Sequence, residues 1–144
     1  MTVDITAMTQ QAQTELNELR AQIRSRSEKI MTDTLAAFFA QHEDVKTIYW
    51  AQWVPGFNDG DACTFQVGDI NFTHCEAAEV DGPYFADEYE GAEHEFSAQT
   101  EKDMRAVARF ISNLGEHLEY AFDSNAFVRI SRDGVLVEEY DCGY

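Results

Sequence analysis

Trp50-Ala51-Gln52-Trp53-Val54-Pro55-Gly56-Phe57-Asn58-Asp59-Gly60-Asp61-Ala62-Cys63-Thr64-Phe65 reads as an aromatic strand, a tight acidic turn and a returning strand. Asp59-Gly60 stands between two runs of strand-favouring residues, where Gly and Asx best tolerate the positive φ of a two-residue hairpin loop. With that loop Val54 faces Phe65 and Gln52 faces Val67, so Ile48, Trp50, Val54, Cys63, Phe65 and Val67 share one face, the expected core side. Cys63 is accordingly expected to be a core thiol. Pro55-Gly56 cannot continue a regular ladder, which predicts irregular pairing and a wider loop near the turn. Cys63, Phe65 and Val67 alternate at odd positions while Ile70 and Phe72 alternate at even ones. One extra residue at Gly68-Asp69, a β-bulge, reconciles the two phases.

Outward from this hairpin the chain reads as one α+β domain, 1–144, with a helical N-terminal arm over 1–41 and an α+β core over 45–144. In the arm, Ile5, Met8, Ala12, Leu16, Leu19 and Ile23 are spaced 3, 4, 4, 3 and 4, close to a heptad seam. So narrow a seam needs a cover, either the domain's own sheet or a second helix in a homodimer through Ile5, Met8, Leu16, Leu19 and Ile23. Ser25-Arg26-Ser27-Glu28 has the form of a capping box and predicts an interruption, after which Ile30, Met31, Leu35, Phe38 and Phe39 form a denser, core-like stripe. Arg20, Arg24, Arg26 and Lys29 are expected to pair with Glu15, Glu18, Glu28 or Asp33 at helical spacing. Thr100-Glu101-Lys102-Asp103 reads as the capped start of a later helix whose apolar face is Met104, Val107, Ala108, Ile111, Leu114 and Leu118, with a bend or stop near Leu114 because of Gly115. A second hairpin, turned at Asp133-Gly134, places Arg129 opposite Glu138 and Phe127 opposite Tyr140. The two hairpins are expected to form one antiparallel sheet with helices on one face.

The charge narrows the function. There are 27 acids against 10 bases, a formal net charge of −17, and no Lys or Arg between Thr47 and Glu101. Such a surface repels nucleic acid and anionic membrane, and its natural partners are basic proteins. The stretch from Thr73 to Ala98 carries eight acids, no base and the aromatics Tyr84, Phe85, Tyr89 and Phe96, without a helical or strand period. A connection of that length is usually functional or disordered, and its aromatics favour anchoring on the sheet with the carboxylates outward. No apolar run has the length of a membrane span, and Met1-Thr2-Val3-Asp4 lacks the features of a signal peptide, so a cytoplasmic setting is expected. Cys63, Cys75 and Cys142 are an odd number without metal-type spacing, consistent with reduced thiols.

The pattern Trp50-x-Gln52-Trp53-x-Pro55-x-Phe57-Asn58-Asp59-Gly60-Asp61-x-Cys63 resembles a motif in a family of small uncharacterised proteins from tailed phages and bacterial genomes. The resemblance covers the hairpin and, more loosely, Arg132-Asp133-Gly134. Relatives often carry an aromatic where this chain has Gly56 and a Pro where it has Ala62. The resemblance implies a phage or prophage origin and a host-cytoplasmic setting; the family lends no catalytic residues.

For chemistry the residues offer little. His74-Cys75 with His94 and Glu95 is a weak metal-site sketch without preorganised spacing. Asn58-Asp59-Gly60-Asp61 lacks the ligands of a calcium loop. No phosphate loop, nucleophile elbow or kinase-like signature occurs, so no cofactor, metal or enzymatic activity is assigned. Two function classes remain. One is an acidic phage protein that inhibits a host defence or nucleic-acid-handling protein, presenting Asp59, Asp61, Asp87, Glu88, Glu90, Glu93 and Glu95 where phosphates would sit. The other is a nucleotide-like ligand module built on Trp53, Phe57, Asn58, Tyr84 and Tyr89, for which Arg105, Arg109, Arg129 or Arg132 would have to supply the bases.

Overall fold

The structure is a computed structural model describing residues 4–56, 63–88, 91 and 93–141. The Asp59-Gly60 turn, with Phe57, Asn58 and Asp61, lies outside the described residues, as do Tyr89, Glu90 and Cys142.

The first strand of the central hairpin sits inside the sheet and the returning one at its edge. β1 (Thr47–Trp53) pairs antiparallel with β2 (Gln66–Val67) and β3 (Asn71–Thr73) on one side and with β4 (Ala126–Ser131) on the other; β5 (Gly134–Glu139) closes the far edge beside β4. Gln52 faces Val67, as the loop arithmetic requires. Farther along, Ile48 faces Phe72 and Thr47 faces Thr73, a register one residue out of step with the Gln52–Val67 pair. That step is the expected bulge between Val67 and Asn71, and Gly68 N–H donates to Ala51 O at 2.8 Å inside it. Phe65, Val67, Ile70 and Phe72 consequently all pack on the main core. Cys63 does not follow them. It is exposed, because regular pairing ends at Gln66 and nothing carries the alternation outward to it.

The second hairpin turns one residue earlier than Asp133-Gly134 predicts, at Arg132-Asp133, which moves its register by two. Ser131 faces Gly134, so Arg129 faces Leu136 and Phe127 faces Glu138. Gly134, at φ 134°, carries the unusual backbone conformation of the turn. A slip of two residues keeps every side chain on its own face. Arg129 therefore still reaches Glu138, now as a diagonal ion pair.

Helices cover one face. α1 (Ile5–Gln41) is a single helix of 37 residues, without the break read at Ser25–Glu28. Ser27 and Glu28 stay helical there: Glu28 O accepts from Thr32 Oγ1 at 2.8 Å, and Arg24, one turn earlier, is held by the Ala121 carbonyl. α1 buries Met31, Leu35, Phe38 and Phe39 against Ile48, Trp50, Val128 and Ile130. After α2 (Phe85–Glu88) comes α3 (Ala98–Leu114), which starts one turn before Thr100 because Ser97 is the cap, its Oγ accepting from Thr100 N–H at 3.1 Å. α3 ends where expected, at Leu114, with Gly115 at φ 53° and a new helix, α4 (Glu116–Phe122), beyond it. Ile111, Leu118 and Phe122 complete the core.

Two polar ties lock the helices. His42, at the end of α1, is 8% exposed; its Nε2 donates to Asp103 Oδ2 at 2.7 Å, and its Nδ1 lies 3.0 Å from Thr100 Oγ1. Arg24 Nε donates to Ala121 O at 2.6 Å, and Arg20 and Arg24 both bind the Asp123 carboxylate. These arginines thus reach across to α4 and do not pair along their own helix; Lys29–Asp33 is the expected i,i+4 pair. Among the described residues no helix is long and apolar enough to cross a membrane.

Candidate interaction face

Alternation sends Tyr49, Ala51 and Trp53 to the sheet face away from the helices. There Tyr49 and Phe127 stack at 6.2 Å with planes 13° apart, and Cys75, Val80 and Phe85 close over them. These last three belong to the acidic connection, which is anchored on the sheet through its apolar residues. It forms a short 3-10 turn at Ala77–Glu79 and then α2. Burial, the largest influence, pushes the Tyr49 phenol above its ordinary value, and the nearby Asp87 charge adds to this.

The connection is also clamped by a cation. Arg129, 8% exposed, donates through Nη1 to Val80 O at 2.8 Å and to Ala77 O at 3.2 Å, and its Nη2 binds Glu138. Its guanidinium lies 5.3 Å from the Phe127 ring centre. Thr47 Oγ1 donates to Cys75 O at 2.8 Å, fixing the start of the same segment. A buried arginine is thus spent on carbonyls, while the carboxylates of the segment point outward: Glu76, Glu79, Asp81, Asp87, Glu88, Glu93 and Glu95 are all exposed. One of them is paired to a base, Glu76 with Lys46 at 3.1 Å.

Next to α2 is an open cavity of about 450 Å³, lined by Trp53, Tyr84, Tyr140, Asp69, Asn71 and Asp87 among others. Trp53 and Tyr140 meet edge to face at 6.1 Å, while Tyr84 is 59% exposed at the rim. Gly68 forms part of the floor. A Cβ there would stand 3.0 Å from Ala51 O and 3.2 Å from the Trp53 ring, so the bulge glycine is what lets the indole lie against the backbone.

Of the residues singled out by sequence, the fold gathers Trp53, Tyr84 and Asp87 at this cavity, with Glu88 adjacent on α2. Glu93 and Glu95 flank His94, whose ring stacks on His74 at 4.7 Å and whose Nε2 lies 3.1 Å from Asp44 Oδ2. Cys75 Sγ is 3.9 Å from His74 Nε2. Among the described residues no group of three or more His, Cys, Asp or Glu is placed to hold a metal ion. The bases a nucleotide would need are placed elsewhere: Arg129 is internal, Arg132 donates to Phe39 O, and Arg105 and Arg109 lie exposed on α3.

Sequence reasoning missed Tyr140, Asp69 and Asn71 as cavity residues. The signal for Asn71 was the bulge, which once placed puts Asn71 opposite Tyr49 on the same sheet face. Asp103–His42–Thr100 has the connectivity of an acid–base–nucleophile relay, but the Thr100 residue is 5% exposed and its hydroxyl is taken up by Ser97 and His42, so it acts as a latch between α1 and α3. Compared with known proteins, the chain matches no family model, no curated protein and no solved structure.

Proposed function

We propose that the protein is an acidic interaction protein of phage or prophage origin that binds a basic partner protein of the host through the loop-covered face of its sheet. The observation that carries this reading is the pairing of outward carboxylates with an aromatic cavity that no Lys or Arg lines among the described residues, Arg129 of the same sheet being buried under the connection. Trp53, Tyr84 and Tyr140 offer ring faces, and Asp69 and Asp87 offer negative charge, a combination suited to a Lys or Arg side chain projecting from the partner. A partner that normally holds nucleic acid in a Lys/Arg groove has this chemistry, and occupying that groove would inhibit it.

A pull-down from host lysate, followed by competition with DNA or RNA, tests the reading. The expected result is a captured protein that nucleic acid displaces and whose association slows steeply with salt. Asp87→Lys/Glu88→Lys should abolish capture, and Tyr84→Ala should weaken it without unfolding the domain, because Tyr84 is exposed. Capture that survives both changes with unaltered salt dependence would refute the proposal. A purified protein that carries nucleotide by mass spectrometry would favour the ligand-module reading in its place.

A further inference from the structure

We infer that the N-terminal part of α1 is a self-recognition surface on which a second copy of the chain packs antiparallel, about a two-fold axis between Asn17 and Glu18. The inference is independent of the acidic face. Ile5, Met8, Leu16, Leu19, Ile23 and Ile30 are 47 to 64% exposed, an apolar row that the body of its own chain leaves uncovered. With Ala12 and the half-buried Ser27, the row occupies positions 5, 8, 12, 16, 19, 23, 27 and 30, spaced 3, 4, 4, 3, 4, 4 and 3.

Two properties of that spacing matter. It repeats every 11 residues, about 3.67 per turn, slightly above the 3.6 of a straight helix, so the row drifts only slowly along the helix and two such rows meet with a slight right-handed wind. It is also palindromic. Turned end for end, the row superimposes on itself, setting Ile5 opposite Ile30, Met8 opposite Ser27, Ala12 opposite Ile23 and Leu16 opposite Leu19. A two-fold interface requires self-complementarity of this kind.

Charge selects the same occupant and the same direction. Residues 4–29 carry four acids, Asp4, Glu15, Glu18 and Glu28, against four bases, Arg20, Arg24, Arg26 and Lys29, so the arm is neutral and the whole −17 lies in the rest of the chain. The acids up to Glu18 precede every base, and the bases begin at Arg20. Antiparallel packing lays Glu15 and Glu18 of one arm along the half of the other that runs from Arg20 to Lys29, which stays net positive even after Arg20 and Arg24 share Asp123 and Lys29 takes Asp33, whereas parallel packing matches like with like and brings two strongly acidic bodies side by side. Beside the row, Leu16, Leu19 and Ile23 form a groove of about 650 Å³ with Tyr120 of α4, itself 64% exposed, which widens the surface available to the incoming arm.

Sedimentation of the full chain at tens of micromolar should give a dimer, and Leu16→Lys/Leu19→Lys should give a monomer that keeps its near-ultraviolet signal, since residues 4–30 hold no aromatic side chain. Direction is read by cross-linking in a Cys63→Ser/Cys142→Ser background. Met8→Cys together with Ser27→Cys should form a covalent dimer on oxidation and Met8→Cys alone should not, because within one chain the two positions are about 28 Å apart. A monomer at that concentration, or a covalent dimer from Met8→Cys alone, overturns the inference.

Discussion

Trp50 donates its indole N–H to the side-chain carbonyl of Gln52 at 3.0 Å, and the Gln52 amide donates in turn to Leu118 O at 2.9 Å and Asp123 O at 2.7 Å. Both residues are fully buried on the helix-facing side of β1. The Trp50-x-Gln52 spacing of the central motif is thereby explained: residues two apart share a face, and the pair stitches the middle strand to the end of α4. Replacing Gln52 by Leu would fill the volume but take the partner from the Trp50 indole donor and the Asp123 carbonyl, Leu118 O keeping its helical bond within α4. A loss of about 2 to 4 kcal/mol is expected from urea unfolding. A loss below about 1 kcal/mol would mean that water or another group satisfies them.

How much of this could be read from the chain depends on how local each cause is. The register of the first hairpin, the bulge at Gly68 and the stop at Gly115 each follow from a residue type acting within a few positions, and the structure has all three. The capping-box reading at Ser25–Glu28 went the other way because a distant contact, Arg24 with Ala121 and Asp123, holds the helix together there. Cap chemistry also could not separate Ser97 from Thr100, two hydroxyls one turn apart that bond to each other. The cavity was half legible: Trp53, Tyr84 and Asp87 stood out as aromatic and acidic residues, but Tyr140 comes to them through strand order, which no local pattern encodes.

Gly68→Ala tests whether the bulge glycine holds Trp53 in place. The added Cβ would meet Ala51 O at 3.0 Å, a backbone atom pinned by the Gly68 N–H itself, and the Trp53 ring at 3.2 Å. The indole is the freer of the two to move. A destabilisation of about 1 to 3 kcal/mol is expected, with a change in tryptophan emission that disappears in a Trp53→Phe background. Emission that persists in that background would place the change at Trp50.

Gly115→Ala separates backbone strain from packing. At φ 53° and ψ −123° the residue joins α3 to α4, and a Cβ there would meet nothing within 4 Å. Any cost is therefore conformational, on the order of 1 to 2 kcal/mol. Thermal unfolding should show this loss with far-ultraviolet helicity unchanged. An unaltered melting temperature would mean that the joint tolerates an ordinary residue.

Asp123 is where strain, charge and the arm meet. Its backbone, at φ 80° and ψ 162°, lies in a region nearly reserved for glycine, a cost of roughly 1 to 3 kcal/mol for any other residue. What opposes that cost is a carboxylate held at 2.8 Å by Arg20 and at 2.7 Å by Arg24. The Arg20 hydrogen bond, followed by the Arg24 charge, keeps this carboxyl below its ordinary range although partial burial pushes it upward. A carboxylate depressed in the folded state contributes stability that is fully present above its unfolded value, near 4, and is lost as pH falls through the lower folded value. Asp123→Asn should therefore melt below the natural chain at pH 7, and the difference should close as pH drops beneath about 4. Asp103, likewise lowered by its bond to His42 and then by Gln99, is present in both proteins and cancels from the comparison. Asp123→Gly relieves the backbone while losing the same charge, so it should melt above Asp123→Asn at every pH. A gap between the natural chain and Asp123→Asn that stays constant down to pH 2 would show that the arginines contribute nothing through charge.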